Sequence, residues 1–283
     1  MKLQLECIAC MLRQIVEAGR MATDDEKKIR RIMDIYAGMI PEINLYKTAP
    51  EVTEVIHTLI KKELGVEDPY KEYKDKHIQL ALDHYPVVKK IIENADNTIE
   101  AALIMAATGN SIDAGLNLKV NVVEVIESGM KDGFYFNDTS LFEEKLKKVR
   151  KLLIVADNSG EAVFDKLLIE ELLKLYDLDI TYAVRSRPVL NDITVKEARE
   201  IGLDRVSHLI DSGCSAPGML IEQASQPFIK AFAEADIVIA KGQGNYEGLS
   251  ETDRRVFYLL KAKCSVFARE FGAPQGSLIF KYL

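Results

Sequence analysis

Residues 154–165 read IVADNSGEAVFD, and this stretch reveals the fold of the second half of the chain. An apolar run stops at Asp157 and Asn158, Ser159 and Gly160 follow, and apolar residues return with helical spacing after Glu161. A short apolar strand that turns at a glycine into a helix is the repeating unit of parallel sheets. The stretch therefore predicts a strand–helix junction with two oxygen-bearing side chains at the carboxyl end of the strand.

The remainder of the second half repeats this alternation, whereas the first half shows apolar stripes of helical period. We predict strands at 152–156, 180–184, 206–210, 237–240 and 265–268, with helices at 161–176, 194–201, 226–235 and 250–262. In the first half, Gly65 ends one predicted helix and Pro86 interrupts another. The predicted fold class is α/β: a helical N-terminal region (1–150) packed on a three-layer α/β/α domain (151–283) with a mainly parallel, Rossmann-like sheet.

Composition limits the classes of function. The chain has 283 residues and a formal net charge of −7, a balance that argues against binding a nucleic-acid polymer. Its longest apolar runs are far shorter than the roughly 20 residues that span a bilayer, and its first residues lack the apolar core of a signal peptide. We therefore predict a cytoplasmic protein without a membrane partner. The sequence is also compatible with an oligomer.

Polar clusters follow three of the predicted strands. Asp157 and Asn158 follow the first, Asp192 lies in a loop after the second, and Lys241 begins a glycine-rich segment after another. Because ligands of open parallel sheets bind at the carboxyl ends of the strands, we expect these residues to share one pocket. Two carboxylates and an amide oxygen are ligands suited to Mg²⁺ or Mn²⁺. Taken singly, each cluster is also explained by a helix cap or a glycine-rich turn.

Cys7 and Cys10 form a C-x-x-C pair near the N-terminus. A structural zinc site usually needs a second such pair, and Cys214 and Cys264 lie far away in the sequence. Residues spaced i and i+3 share one face of a helix, so the pair is most simply explained as buried apolar side chains. A second metal site completed by other groups and a redox pair are the alternatives.

Taken together, the polar motifs resemble the damage-control phosphatases, the ARMT-like family of metal-dependent phosphatases. The resemblance covers nearly the whole chain, and the N-terminal C-x-x-C resembles the subgroup typical of archaea and some bacteria. The motifs are, in chain order, Gly109-Asn110, Asp157-Asn158-Ser159-Gly160-Glu161, Leu190-Asn191-Asp192 and Lys241-Gly242-Gln243-Gly244-Asn245.

The resemblance implies a phosphatase that acts on small phosphorylated metabolites such as sugar phosphates, nucleotides or damaged phosphometabolites. It implies a divalent cofactor (Mn²⁺, Ni²⁺, Co²⁺ or Mg²⁺) held by Asp157, Asn158 and Asp192, with Asp157, Asp192 and Lys241 as catalytic residues. The substrate-binding residues that we expect are Asn110, Glu161, Gln243, Gly244, Asn245, Tyr246, Lys261 and Lys263. Because residue 159 is Ser, the D-x-D pattern of an aspartyl nucleophile is missing, which favours water as the attacking group.

Two alternatives belong to other classes. A doubly wound sheet also hosts S-adenosylmethionine-dependent methyltransferases, and a carboxyl methyltransferase activity has been ascribed to relatives of this family. The first strand lacks the usual glycine-rich cofactor loop, which counts against this alternative. A non-catalytic protein that binds sugar phosphates or nucleotides would keep the anion site but would need no metal ligands.

Overall fold

The structure is a computed structural model that describes residues 1–45, 47–112 and 122–283; the side chains of residues 110–112 and 122–123 are outside the description. Helices dominate the first half of the chain. They are α1 (Leu5–Ala22), α2 (Glu26–Met39), α3 (Ala49–Leu64), α4 (Lys71–Glu93), α5 (Thr98–Ile112), α6 (Val122–Asp132) and α7 (Thr139–Leu146). The second half adds α8 (Glu161–Leu175), α9 (Val195–Glu200), α10 (Gln226–Glu234), α11 (Gly242–Leu249) and α12 (Ser265–Phe271).

The strands form one seven-stranded sheet in the order β1-β7-β6-β5-β2-β3-β4. Strands β2 to β6 run parallel, whereas β7 is antiparallel to β6. Their bounds are β1 (Phe134–Asn137), β2 (Lys151–Val155), β3 (Asp179–Val184), β4 (His208–Asp211), β5 (Ile237–Lys241), β6 (Phe257–Lys261) and β7 (Leu278–Tyr282). The predicted α/β class with a mainly parallel sheet and surrounding helices is confirmed.

Register brings the ends of the central strands to the same level. Val155 of β2 lies opposite Ala183 of β3 on one side and Ala240 of β5 on the other. The residues that follow these positions therefore leave the sheet at one common edge, where an open α/β sheet binds its ligands.

Helix α5 positions the helical layer against this edge. Its residues 101–107 are apolar and buried on all sides, which is the pattern of a helix enclosed by other elements. One hydrophobic core includes residues of α4, α5, α8 and the sheet, so helices from the first half pack directly on the strands. Strand β1 also comes from the first 150 residues and pairs with β7. The division at residue 150 stays a prediction.

Several predicted elements differ from the structure. Residues 265–268, predicted as a strand, belong to α12, and residues 257–261, placed in a predicted helix, form β6. Short apolar runs fit a buried strand and a buried helix equally well, and packing decides between them. Strands β1 and β7 were not predicted, and α4 continues through Pro86 to Glu93. None of the helices in the described residues has the length and apolar character needed to cross a bilayer.

Candidate active site

Backbone pairing joins the loops that follow β2 and β3. Asn158 and Asp192 form an isolated antiparallel bridge, and the N–H of Ile193 donates to the carbonyl oxygen of Asp157 at 2.9 Å. The N–H of Ser159 donates to the carbonyl oxygen of Asn191, also at 2.9 Å. These bonds bring together the three residues that the sequence predicts as metal ligands, which lie 35 positions apart at most in the sequence.

The amide of Asn158 lies between two carboxylates. Its Nδ2 donates to Oδ2 of Asp157 at 3.1 Å and to Oε2 of Glu161 at 3.2 Å. Glu161 is the first residue of α8 and is completely buried. It therefore supports Asn158 from behind instead of lining the cavity, which differs from the substrate-binding role that the sequence predicts.

Lys241 is also enclosed by protein. Its Nζ donates to Oε1 of Glu161, to Oδ1 of Asp165 at 2.6 Å and to the carbonyl oxygen of Ala106 at 3.0 Å. Asp165 in turn accepts a hydrogen bond of 2.7 Å from the hydroxyl of Tyr182. Burial opposes the charge of Lys241, but the carboxylates of Asp165 and Glu161 outweigh it and raise the pKa of the lysine. Since its three donors are occupied, direct contact with a phosphate is not what this placement provides.

Arg185 holds Asp192 in place, as Lys241 holds Glu161. It is buried, and its Nε donates to Oδ2 of Asp192 at 2.7 Å while Nη2 donates to Oδ1 of Asn245 at 2.8 Å. Asn245 also accepts from the N–H of Met219 and donates to the carbonyl oxygens of Ala156 and Lys241. Asn245, predicted to bind substrate, is fully buried and ties the ends of β2 and β5 together.

Gly242 is required by the close approach of Asp157. Its φ is +75°, a conformation that favours glycine, and a Cβ added there would lie within 2.9 Å of all three carboxyl atoms of Asp157. The carboxylate therefore packs directly on the backbone at the start of α11, and only glycine leaves it this position.

A cavity of about 700 Å³ opens over these groups, a volume typical of small-molecule sites. Asp157, Asn158 and Asp192 line it, and the exposed Lys263 is a cation on its wall. Other lining residues come from α1, α3, α11 and the loops around them, and they include Cys7, Cys10, Pro50, Pro217, Gln243, Gly244, Glu247 and Cys264.

The remaining predicted residues are placed elsewhere. Lys261 lines a second cavity, of about 570 Å³, with Thr108 and Tyr135. The ring of Tyr246 packs against those of Tyr258, Phe267 and Phe271. Asn110 lies in the last turn of α5, but its side chain is outside the described residues.

The charges of the site favour a positive partner. Three buried carboxylates pair with two buried cations, and a fourth, that of Asp157, accepts from the amide of Asn158. The net charge of the group is −2 when all six are ionised; they are Asp157, Glu161, Asp165, Asp192, Arg185 and Lys241. Burial raises the pKa of Asp157 well above its usual range, and Asp192 and Glu161 raise it further. Two carboxylates and an amide oxygen at one cavity wall are hard oxygen ligands, so the residues present fit a divalent cation.

Three cysteines also line this cavity. Cys264, which the sequence places far from Cys7 and Cys10, lines the same cavity and accepts a hydrogen bond of 3.4 Å from Gln243. Burial raises the pKa of Cys7, with additional repulsion from Glu247. Among residues 1–45, 47–112 and 122–283, no three His, Cys, Asp or Glu side chains lie close enough to hold a metal ion together. A metal or redox role for Cys7 and Cys10 stays a prediction.

Comparison with known proteins identifies the family. The damage-control phosphatase ARMT1-like domain model matches residues 3–279. The chain belongs to this family. Its predicted membership is thus confirmed, and damage-control phosphatases from two archaea are similar over nearly their whole length. The Pyrococcus horikoshii protein PH1575 is 34% identical over 99% of this chain and 97% of its own, and the Archaeoglobus fulgidus protein is 32% identical over 99% of each.

The fold of this damage-control phosphatase family member also matches a solved structure. The crystal structure of the P. horikoshii PH1575 protein, described as a DUF89 family protein, aligns with a TM-score of 0.90 at 33% identity. The match covers 99% of this chain and 98% of that one.

Sequence reasoning missed the residues that support the site from behind. Asp165 lies four positions after Glu161, so both carboxylates share one face of the helix, and the residues between them are apolar. This spacing could have indicated a paired role. Arg185 directly follows a buried strand, but nothing local indicates that it pairs with Asp192. Cys264 gives no local signal either, because only the tertiary structure brings it to the wall that carries Cys7.

Proposed function

We propose that the protein is a divalent-metal-dependent phosphatase, a phosphoric monoester hydrolase that acts on small phosphorylated metabolites, including damaged ones. The names of its relatives favour a phosphatase over the methyltransferase and over the non-catalytic binding protein. The observation that carries the proposal is the pairing of the loops after β2 and β3. It holds two carboxylates and an amide at one cavity wall, within a buried cluster of net negative charge.

In this proposal Asp157, Asn158 and Asp192 hold the metal ion. A bound Mn²⁺, Ni²⁺, Co²⁺ or Mg²⁺ supplies Lewis-acid chemistry, since it neutralises charge on the phosphoryl group. Arg185 holds Asp192 in place through its hydrogen bond, and Gly242 allows Asp157 to stay against the backbone. Phosphoryl transfer depends mainly on such positioning and charge neutralisation, because little covalent chemistry is required of the protein.

Lys263 takes the role that the sequence analysis gave to Lys241. Its ammonium group is an exposed cation on the cavity wall, next to Cys264, and neutralises a non-bridging oxygen of the substrate phosphate. Gln243 and Gly244 line the cavity in the first turn of α11, where backbone N–H groups have no partner within the helix. These groups donate to the same phosphate, as helix N-termini commonly do. Lys241 acts indirectly, by fixing Glu161 behind the metal ligands.

The test is removal and return of the metal. Protein treated with chelator should lose phosphate release from an aryl phosphate and regain it with one or more of the four ions; sugar phosphates and nucleotides then define the substrate class. Asp157→Asn should lose metal binding and most of the activity. Asp211→Asn, a change at an exposed aspartate that ends β4 at the same edge, is the matched control and should retain both.

Two results would overturn the proposal. One is phosphate release that persists unchanged after complete metal removal. The other is an Asp157→Asn variant that binds metal and hydrolyses phosphate esters like the parent protein. Binding of sugar phosphates without any turnover, with every metal tried, would favour the non-catalytic alternative.

A further inference from the structure

The side-chain amide of Asn158 carries an oxygen and an NH₂ group, and only the oxygen can bind a cation. Both of its neighbours on the protein side, Asp157 and Glu161, present carboxylate oxygens at hydrogen-bonding distance. Glu161 is ion-paired with Lys241, and an ionised carboxylate only accepts hydrogen bonds, so the group of Asn158 that faces Glu161 has to be the NH₂. The amide oxygen is then directed away from the pair, and Asn158 itself lines the cavity.

We propose that Glu161, itself held by Lys241, is a positioning residue that presents the amide oxygen of Asn158 to the cavity. The proposal rests on the proposed function, because it assumes that the cavity receives a divalent cation at this wall. It assigns to Glu161 a role in metal affinity without contact with the metal or the substrate.

Glu161 can perform this role because its two oxygens have different partners. Oε1 accepts a hydrogen bond from the ammonium group of Lys241, and Oε2 accepts one from the amide NH₂ of Asn158. Lys241 is fixed in turn by Asp165 and by the carbonyl oxygen of Ala106. Glu161 and Lys241 are completely buried, so the carboxylate cannot rotate without leaving an uncompensated charge in the interior.

The consequence of losing the acceptor is specific. If residue 161 presents an NH₂ group instead of an oxygen, two donors face each other, and the Asn158 amide relieves the conflict by rotating. Rotation directs its NH₂ towards the cavity, which removes one of three oxygen ligands and places a donor against the cation. Loss of a group that orients a metal ligand typically weakens metal affinity about 10- to 100-fold.

The experiment exchanges donor and acceptor between the two positions. Glu161→Gln alone should weaken Mn²⁺ binding about 10- to 100-fold, measured as a dissociation constant by electron paramagnetic resonance. In the double variant Asn158→Asp/Glu161→Gln, the amide at 161 donates to the carboxylate at 158 and its oxygen still accepts from Lys241. The net charge equals that of the parent, and Mn²⁺ affinity should return to within a few-fold of the parent value.

The single variant Asn158→Asp separates positioning from charge. It places a third carboxylate against Asp157 and Glu161, so it should not improve Mn²⁺ affinity in the parent background, although the same substitution restores affinity in the Glu161→Gln background. The matched control is Glu171→Gln, the same change at a buried glutamate of α8 that pairs with Lys174 away from the cavity. It should leave the dissociation constant unchanged.

The outcomes distinguish this inference from the proposed function. If the parent protein binds no divalent ion, the proposed function fails. If it binds Mn²⁺ and Glu161→Gln binds equally well, or if the effects of the two substitutions simply add, the positioning role is wrong. Should Glu161→Gln not fold, the parent protein still provides a test by NMR in Mg²⁺: the side-chain amide hydrogens of Asn158 should exchange slowly with water, and rapid exchange would exclude the arrangement.

Discussion

Substituting Gly242 by alanine tests whether the position of Asp157 sets the activity. A methyl group there would overlap the Asp157 carboxyl, since all three of its atoms lie within 2.9 Å of the added carbon. An ordinary carbon–oxygen contact is about 3.3–3.6 Å, so the carboxylate has to retreat. A misplacement of roughly 1 Å at a reacting centre costs on the order of 100-fold in rate. We therefore expect Gly242→Ala to lose about 100-fold in kcat/KM and to bind Mn²⁺ more weakly.

The same substitution also strains the backbone, and a second glycine isolates that effect. Gly65 ends α3 with a φ of +69°, close to the +75° of Gly242, but an added methyl group there meets nothing within 4 Å. Both variants should lose about 1–2 kcal/mol of unfolding free energy from the left-handed conformation alone. Only Gly242→Ala should lose activity and metal affinity.

The assay compares kcat/KM on an aryl phosphate, the Mn²⁺ dissociation constant and the thermal midpoint for both variants and the parent. The reasoning would be refuted if Gly242→Ala kept parental activity while its stability fell as in Gly65→Ala. Equal losses of activity in the two variants would refute it as well, because Gly65 does not line the cavity.

Three further predictions address other parts of the cavity. Lys263→Gln should lower kcat/KM about 100-fold, as expected for removal of one electrostatic contact to the transition state, whereas Lys261→Gln, a change in the second cavity, should have a much smaller effect in the same assay. Burial raises the pKa of Glu247 from 4.5 to about 7. Between about pH 4.5 and 7, Glu247 is therefore protonated in the folded state and ionised in the unfolded state. The unfolding free energy of the parent should therefore fall relative to that of Glu247→Gln as pH rises through this window, by up to about 3 kcal/mol. Denaturant titrations of both proteins at pH 4.5 and 8 measure this difference. The same difference in unfolding free energy at both pH values would contradict the prediction. The double variant Cys7→Ser/Cys10→Ser should retain the Mn²⁺ stoichiometry of the parent, and loss of one bound metal per chain, counted by atomic emission, would instead assign these cysteines a metal site.

Local sequence patterns accounted for much of the fold. The strand–helix junction at Asp157 could be predicted because the apolar strand, the glycine and the apolar stripe of the helix are adjacent in the sequence. The predicted strands at 152–156, 180–184 and 237–240 correspond closely to β2, β3 and β5. Residues 257–268 were misassigned because a short apolar run has no period that separates a strand from a helix. Residues 257–261 form a strand because they pair with β5 and β7, which are distant in the sequence.

For the candidate site, the order of the motifs indicated which residues lie at the same edge of the sheet, but not which of their side chains line the cavity. Asp157, Asn158 and Asp192 were expected at one edge because parallel strands end together, and the bridge between their loops agrees with that expectation. Lys241 and Lys263 were both plausible phosphate ligands. Which of the two ammonium groups faces the cavity depends on what packs around it, and no sequence motif records that.

By itself, the sequence determined the parallel α/β architecture, the family and the edge of the sheet where chemistry is expected, since each follows from short-range periodicity or from motif order. Only the tertiary structure decided that Lys241 is enclosed by Glu161 and Asp165 while Lys263 faces the cavity. A buried charge requires partners of opposite sign, and those partners come from helices and strands far away in the chain. Burial and pairing are properties of the whole fold, and for this reason the structure was needed to separate positioning residues from those that line the cavity.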